Sequence, residues 1–496
     1  MSLGNLLELI ALETGRDFQL HLASLYGGIA RVKGLLWANS LFISDLKALN
    51  HILVQNQDIF EEWSAFTATN SILFGEGLVA TIGDKHKRQR KMLNPVFSVK
   101  HLRGMTPTFF DIAKKLEHAI LNKVNAKAQE IDMTGWLNRT ALELVGQSGL
   151  GHSFVDFSNE GSNTFADAAK DLAASVSAMV PLAPLTPILV KLGPPGLRRF
   201  MIRMTPWPLL QKLRQIVDIM ADGVLEIYQT KKRDMDSTNK VHEGDKDIIG
   251  ILMNANSDSL EKDRLSDSEL LGQMATLIFT ATDTSSGAIA RLLHLLAQHP
   301  DVQERLRNEV ANAFPGRDLD LNYDEVFALP YLDAVIKETL RVTCKDAVVP
   351  LLNPIRGVDG KYSHEVTITQ GTDIFISILG ANHDKSVWGE DASEWKPDRW
   401  LKPLPESVTS NSKISGVYSH MMTFLAGGRA CIGFKFAELE TKVVLTTLLR
   451  SLEFSLPKNK EIAWNMGLLM TPVVSGSQSI HSEMPLWVSK LTPKET

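Results

Sequence analysis

Between Leu265 and about Gln298 the sequence carries a helical pattern long enough to cross a whole domain. Its centre, Thr280 to Ser286, is polar, and polarity in the middle of a long packed helix needs a reason. Helical patterns also dominate from the charged start DKHKRQRKMLNPVF at Asp84 to about residue 345. The first 60 residues mix a helical pattern (Leu3, Leu6, Leu7, Ile10) with short apolar runs such as GLLWANSLFI, which read as strands near turns. Beyond residue 350 the signal becomes alternation, as in EVTITQGTDIFISI, and helix returns after Cys431 in FKFAELETKVVLTTLLRSL. The expected fold is therefore mainly α, a large helical body with a smaller β-rich lobe.

Length alone allows roughly three average domains or one large single-core enzyme. With 44% hydrophobic and 22% charged residues the chain has ample material for a core. Its 52 basic and 57 acidic residues leave a net charge of −5, which points away from nucleic acid as a partner. Two cysteines, Cys344 and Cys431, are too few for a disulfide framework and suit a reducing compartment. Cys344 matches no ligand pattern and reads as structural. No uninterrupted apolar stretch of about 18 residues is evident, and the first 25 residues carry neither signal peptide nor anchor, so the chain alone reads as soluble. The segment from Met179 to Leu213 is apolar, broken by prolines and dotted with Lys191, Arg198, Arg199 and Arg203. It reads equally as an irregular core connection or as short helices dipping into a membrane surface. KKRDMDSTNKVHEGDK, from Lys231, has little to bury and reads as an exposed loop.

A lone cysteine is most often a small buried hydrophobe. The neighbours of Cys431 change that expectation. Gly427 and Gly428 allow a tight turn, and Cys431 then opens an apolar helix, whose free N–H groups stabilise a thiolate. Gly433, without a side chain, lets that helix lie against a flat ligand, and Arg429 reaches an anionic edge.

FLAGGRACIG, Phe424 to Gly433, resembles the cysteine-ligand signature of the cytochrome P450 superfamily: Phe, two residues, Gly, one, Arg, one, Cys, one, Gly. The resemblance implies that Cys431 is the axial thiolate of a haem iron and that Phe424 packs beneath the iron. It implies too that Gly427 and Gly428 bring N–H groups to the sulfur, and that Arg429 pairs with a propionate. A thiolate pushes electron density to the iron and favours O–O cleavage.

Further segments agree in order. Glu338-Thr-Leu-Arg341 alone would be an exposed helical pair worth about 0–1 kcal/mol. In the family a Glu-x-x-Arg here joins the arginine of a later Pro-x-Arg-aromatic, which Pro397-Asp398-Arg399-Trp400 resembles, in a buried charge triad. The intervening Asn382-His383-Asp384 and Trp388-Gly389 are similar to the family as well. TATDTS, Thr280 to Ser285, would alone be a polar helix contact. It resembles the family's small, Gly, any, acid, Thr, Thr or Ser, with Ala281 at the usual glycine. Reducing one oxygen of dioxygen to water takes two protons, so the resemblance implies Thr284 as the hydroxyl beside that oxygen and Asp283 as the carboxylate linked to solvent. His86 and Arg90 share a helix face; the family often has Trp-x-x-x-Arg there, contacting the propionates. Lys87, Arg88 and Lys91 face elsewhere and suit a basic surface for an acidic electron donor.

The resemblance covers nearly all of residues 1–496 and looks closest to fungal microsomal members, which carry an N-terminal anchor that this sequence lacks. It implies one catalytic domain with haem b, receiving electrons from NADPH through NADPH-cytochrome P450 reductase. The protein would act at the cytosolic face of the endoplasmic reticulum membrane, with peripheral membrane contact. The implied reaction inserts one oxygen atom of dioxygen into an apolar small molecule, and relatives of this kind favour a terpenoid or similar specialised metabolite. A reductase-independent peroxide rearrangement, or a haem carrier or sensor without turnover, are the alternatives. Neither explains retaining both Asp283 and Thr284.

Overall fold

A capping box starts the long helix. The Ser266 hydroxyl accepts from the Glu269 N–H at 3.3 Å, while the Glu269 carboxylate accepts from the Ser266 N–H at 2.9 Å. The helix then runs unbroken over Asp267–Gln298. Its polar centre does not interrupt it, because Thr280, Thr282 and Thr284 each donate their hydroxyl to the carbonyl four residues earlier. The computed structural model describes residues 4–11, 13–34, 37–125, 127–158, 163–238, 247–314, 316, 319–342, 355–356, 362–363, 366, 368–369, 371–409, 416–466, 469–477 and 481–491. Cys344 lies outside the described residues. The chain divides into two units, one formed by residues 1–61, 330–434 and 463–471, the other by 62–329, 435–462 and 472–496.

The second unit holds the long helix. At Gly272 an added Cβ would lie 2.5 Å from the Gly77 nitrogen, so helix and turn meet backbone to backbone. Gln273 accepts from the Leu78 N–H at 3.0 Å, and Phe279 stacks on Phe74 with ring centroids 4.6 Å apart. The helix Val99–Val124 buries Leu102, Phe109, Ile112, Leu116 and Ile120, an apolar face at helical spacing. A three-stranded antiparallel sheet has Pro485–Lys490 in the middle, between Gln129–Asp132 and Leu452–Ser455. Leu486 pairs with Ile131 and Val488 with Phe454, all buried, while Trp487 between them faces out.

Three sequence expectations for this unit need correction. The expected loop from Lys231 is helical as far as Thr238, in the helix Pro208–Thr238. Ion pairs replace burial there: Lys231 meets Asp247 and Lys232 meets Asp267, each at 2.7 Å. The run Thr164–Leu189 is long and apolar enough to cross a membrane by length and composition, with mean hydropathy 1.7, although no such stretch was evident in the sequence. The basic face is also less free than expected, since Arg88 pairs with the buried Glu269 and Lys91 with Asp263. The prolines act as expected between 179 and 208, dividing the chain into a short 3-10 turn, Val180–Leu185, and the helices Thr186–Leu189 and Pro195–Met204.

In the first unit, Ile29–Lys33 runs antiparallel to Asn39–Ile43, which runs parallel to Ile374–Ile376. One hydrophobic cluster joins Ile43, Leu49 and Ile376 of this region to Trp388, Tyr418 and Met421, with Phe424 and Phe434 packed against it. The core of this unit thus ends at the cysteine loop.

Candidate active site

The loop begins as a hairpin, Gly416–Tyr418 against Met421–Ala426. Ser419 and His420 at its tip have φ of 48° and 61°, the hand that suits a two-residue hairpin turn. Leu425, with φ 57°, is held in the left-handed region that branched side chains avoid, at a cost of order 1–2 kcal/mol. At Gly427, φ is 65° and an added Cβ would lie 1.8 Å from the Leu53 carbonyl oxygen, so only glycine fits. The Gly428 N–H donates to Gln57 Oε1 at 2.7 Å, although the sequence reading aimed it at the sulfur. The Cys431 N–H donates to the Phe424 carbonyl at 2.8 Å, which folds the loop back on its own strand.

Cys431 emerges from this loop as an exposed thiol outside any disulfide. Ile432 and Gly433 turn the chain into the helix Phe434–Leu449, whose unsatisfied N–H groups favour an anionic sulfur. Phe424 lies among Tyr418 and Phe434, with ring centroids 5.4 and 6.0 Å away. Arg429 reaches Glu61 at 3.0 Å.

The hairpin is anchored by a buried charge cluster. The Arg341 guanidinium grips both Glu338 oxygens at 2.9 and 2.8 Å, and Arg399 Nε lies 3.4 Å from Oε1. The side chains of Glu338 and Arg341 are 0% exposed and that of Arg399 is 8% exposed. The Trp400 indole and the Lys396 N–H complete the carboxylate's shell at 2.9 and 3.0 Å. Burial alone would raise the Glu338 carboxyl, but Arg341 and these donors hold it below its ordinary value. Arg341 also donates to the carbonyls of Asn382, Ala392 and Glu394. The Asn382 side chain in turn accepts from the Met422 N–H at 3.0 Å and donates to Thr423 at 3.1 Å. The charges therefore hold the strand that leads to Cys431. The family resemblance supplied the three charged residues and its motifs also contain Asn382 and Trp400; Gln57 acts over a long separation that no local pattern marks.

In the second unit Asp283 and Thr284 occupy the middle of the long helix. Asp283 Oδ2 is buried with no hydrogen-bond partner among the described residues, and burial pushes its carboxyl up to about 7. The exposed Thr284 hydroxyl donates to the Thr280 carbonyl at 2.5 Å, leaving its lone pairs to accept. Beside Ser285 lies Glu440, fully buried; desolvation pushes it up to about 8 and the Ser285 side chain only partly offsets this. Sequence reasoning missed Glu440 because its helix is buried on every side from Glu438 to Leu449, so no polar face sets it apart. His86 is buried and Arg90 half-buried on the helix Gly83–Leu93.

Residues 2–475 match the sequence profile of the cytochrome P450 family. The chain belongs to that family. Cytochrome P450 monooxygenase 91 of Postia placenta is 42% identical to it, covering 98% of this chain and 92% of the relative. Cytochrome P450 monooxygenase 81 of the same fungus is 44% identical, over 98% and 90%. A ganoderic acid synthetase of Ganoderma lucidum is 40% identical, over 99% and 92%. This P450 is accordingly an oxidoreductase of the monooxygenase type, and the cofactor its family implies is haem. The residues present suit one. The exposed Cys431 thiol, in a loop that admits only glycine at 427, is a soft donor of the kind that suits a haem iron.

Proposed function

We propose that Cys431 is the axial ligand of haem b and that the enzyme inserts one atom of dioxygen into an apolar, terpenoid-like specialised metabolite. The observation that carries the reading is the cysteine loop: an exposed thiol on a backbone so tightly constrained that glycine alone fits at 427. When bound, the haem supplies oxygen activation driven by the electron-rich thiolate. The protein's part is to hold the sulfur, seat the cofactor and move protons.

Phe424 shields the sulfur side, while Arg429, His86 and Arg90 supply cationic or hydrogen-bonding groups for the propionates. Gly433, without a side chain, lets the helix lie close to the ring, while Gly427 and Gly428 form the tight turn before the sulfur. Glu338, Arg341 and Arg399 fix the loop. Thr284, its own proton committed to Thr280, accepts a hydrogen bond on the oxygen side. Asp283 sits near neutrality and so can both take and give a proton at working pH. A protein that only carried or sensed haem has no use for that pair.

The substrate class is supported by the relative named for ganoderic acid, a terpenoid, and by apolar residues such as Ile278 and Phe279 on the long helix. Electrons come from NADPH through NADPH-cytochrome P450 reductase. The family match runs through both units, which supports reading 1–496 as one catalytic domain. Peripheral attachment to the cytosolic face of the endoplasmic reticulum is supported by the exposed apolar and basic side chains between Ile188 and Trp207.

The test is reductase-supported turnover. Purified protein with haem, reductase and NADPH should oxidise members of a terpenoid panel, and Cys431→Ala should lose the thiolate signature of the reduced carbon monoxide complex. Survival of that signature in the variant would remove Cys431 as ligand; product formation without NADPH would favour peroxide rearrangement.

A further inference from the structure

Away from the cysteine loop, a cleft of about 260 Å³ opens to solvent among three helices of the second unit. One wall is the helix Met133–Leu144, where Gly135, Asn138, Arg139 and Leu142 fall on a single face. A second is the helix Thr164–Met179, through Ala166, Asp167 and Lys170. Thr282 of the long helix completes the lining. Its hydroxyl donates to the Ile278 carbonyl at 2.6 Å, which leaves its lone pairs to accept.

Two acids and two bases line this cleft, and one of each is already engaged. Asp132 Oδ1 accepts from the Thr134 and Met484 N–H groups at 3.1 and 2.9 Å, and the Arg139 guanidinium lies 5.9 Å from the centre of the Trp136 ring. Asp167 and Lys170 are different. They stand three residues apart on one helix, where an ion pair is ordinary, yet neither has a hydrogen bond or ion pair among the described residues. The neighbouring acid, Asp171, does pair, with Lys212 at 2.7 Å. Asn138 likewise has no partner among the described residues for an amide that can both donate and accept. The cleft therefore offers one open anion, one open cation and one open amide, beside the apolar side chains of Trp136 and Leu142. A simple anion would meet Asp167 and a simple cation would meet Lys170, so the occupant that avoids repulsion carries both charges. Sites for drug-sized molecules run from about 300 Å³ upward, so this occupant is smaller.

We propose that this cleft binds a small zwitterion of the amino-acid type, with its carboxylate on Lys170 and Asn138, its ammonium on Asp167 and its apolar body against Trp136 and Leu142. The site is separate from the cysteine loop and does not depend on the haem reading.

The experiment is calorimetric titration of the full-length holoprotein with L-phenylalanine, and with phenylpropionate and phenethylamine, which each keep one charge on a similar body. Phenylalanine should bind, and each one-charge analogue should bind roughly tenfold more weakly or worse, as the loss of one charged hydrogen bond requires. Lys170→Met should weaken phenylalanine by a similar factor without weakening phenethylamine. Asp167→Asn should do the same without weakening phenylpropionate. Ala166→Trp, which fills the cleft and removes neither charge, should abolish binding, with a melting curve to show that the variant is folded. Asp167 is exposed and Lys170 half-buried, so their variants keep the test alive should Ala166→Trp not fold. Failure of the native protein to bind phenylalanine would overturn the proposal, as would affinity equal to that for phenylpropionate. Binding that survives unchanged in Lys170→Met and Asp167→Asn would put the ligand elsewhere and overturn it as well.

Discussion

Asp283 and Glu440 are carboxyls that burial holds protonated near neutral pH, at about 7 and about 8. A carboxyl whose folded value exceeds its unfolded one takes up a proton on folding. Its stabilising effect is complete below the unfolded value, near 4, and is lost as pH rises through the folded value. Between about pH 4 and 7 each such group lowers stability by at most about 1.4 kcal/mol per pH unit. His294 and His383, pushed down to about 4 by burial, act in the opposite direction, losing stability as pH falls below about 6.5. A raw pH profile mixes these effects, so the useful quantity is a difference. Urea unfolding across pH 4 to 8 should show Asp283→Asn progressively more stable than the native protein as pH rises; a constant offset would mean that Asp283 is ionised when folded. The same variant should slow NADPH-supported product formation. Thr284→Ala should keep haem while diverting electrons to hydrogen peroxide, lowering product per NADPH by on the order of tenfold or more. Unchanged coupling, read from product and peroxide together, would reduce Thr284 to a helix contact. Asp283 and Thr284 were legible because they stand in a recognisable local pattern. Glu440 was not, because its environment is made by a helix more than 150 residues away.

At the scale of elements, the helix Pro330–Val342, the 3-10 turn Pro397–Leu401 and the strand Met421–Ala426 are joined through one carboxylate. Glu338 serves Arg341, Arg399, Trp400 and Lys396 together, so its removal leaves the buried Arg341 guanidinium without its carboxylate, while Arg399 keeps Asp391 at 2.9 Å. Glu338→Gln should cost about 3–5 kcal/mol. Because Arg341 reaches the strand through Asn382, haem content should fall along with stability. Urea unfolding and the ratio of haem to protein absorbance would check both; full haem loading in a destabilised variant would separate the cluster from the cysteine loop. The Glu338 carboxyl, held below its ordinary value, should keep its contribution above about pH 4.5 and lose it as pH falls through that lowered value. The sequence marked these elements through helical periodicity and the order of its motifs. Burial was not readable from Glu338 and Arg341 themselves, since the same spacing describes an exposed pair. What buries them is Trp388, Trp395 and Trp400, brought from 47 or more residues away.

At the scale of the whole molecule, a run of exposed apolar side chains among the described residues lies between Ile188 and Trp207. Ile188, Phe200 and Met204 are 63, 59 and 70% exposed. Sequence alone left this region balanced between core connection and membrane surface, since prolines and apolar residues fit both. The structure leaves these side chains exposed, which is not what a core connection would do, and the membrane surface is the proposal to be tested. Arg199 pairs with Asp218 and Arg198 caps the Val190 carbonyl, whereas Lys191 and Arg203 meet no carboxylate among the described residues. Burying one such apolar side chain in a bilayer interface contributes about 1.5–3 kcal/mol, and one cation near an anionic surface about 1 kcal/mol. Phe200→Asp and Met204→Asp should therefore each weaken binding to anionic phospholipid vesicles by on the order of tenfold or more. Lys191→Glu should weaken it less, and only at low salt. Melting temperatures should hardly move, because neither apolar side chain contributes to a core. Vesicle co-sedimentation at two ionic strengths measures all three effects. Equal binding by native and Asp variants would assign the exposed apolar surface to some contact other than lipid, and the proposed membrane attachment would then have to rest on other residues.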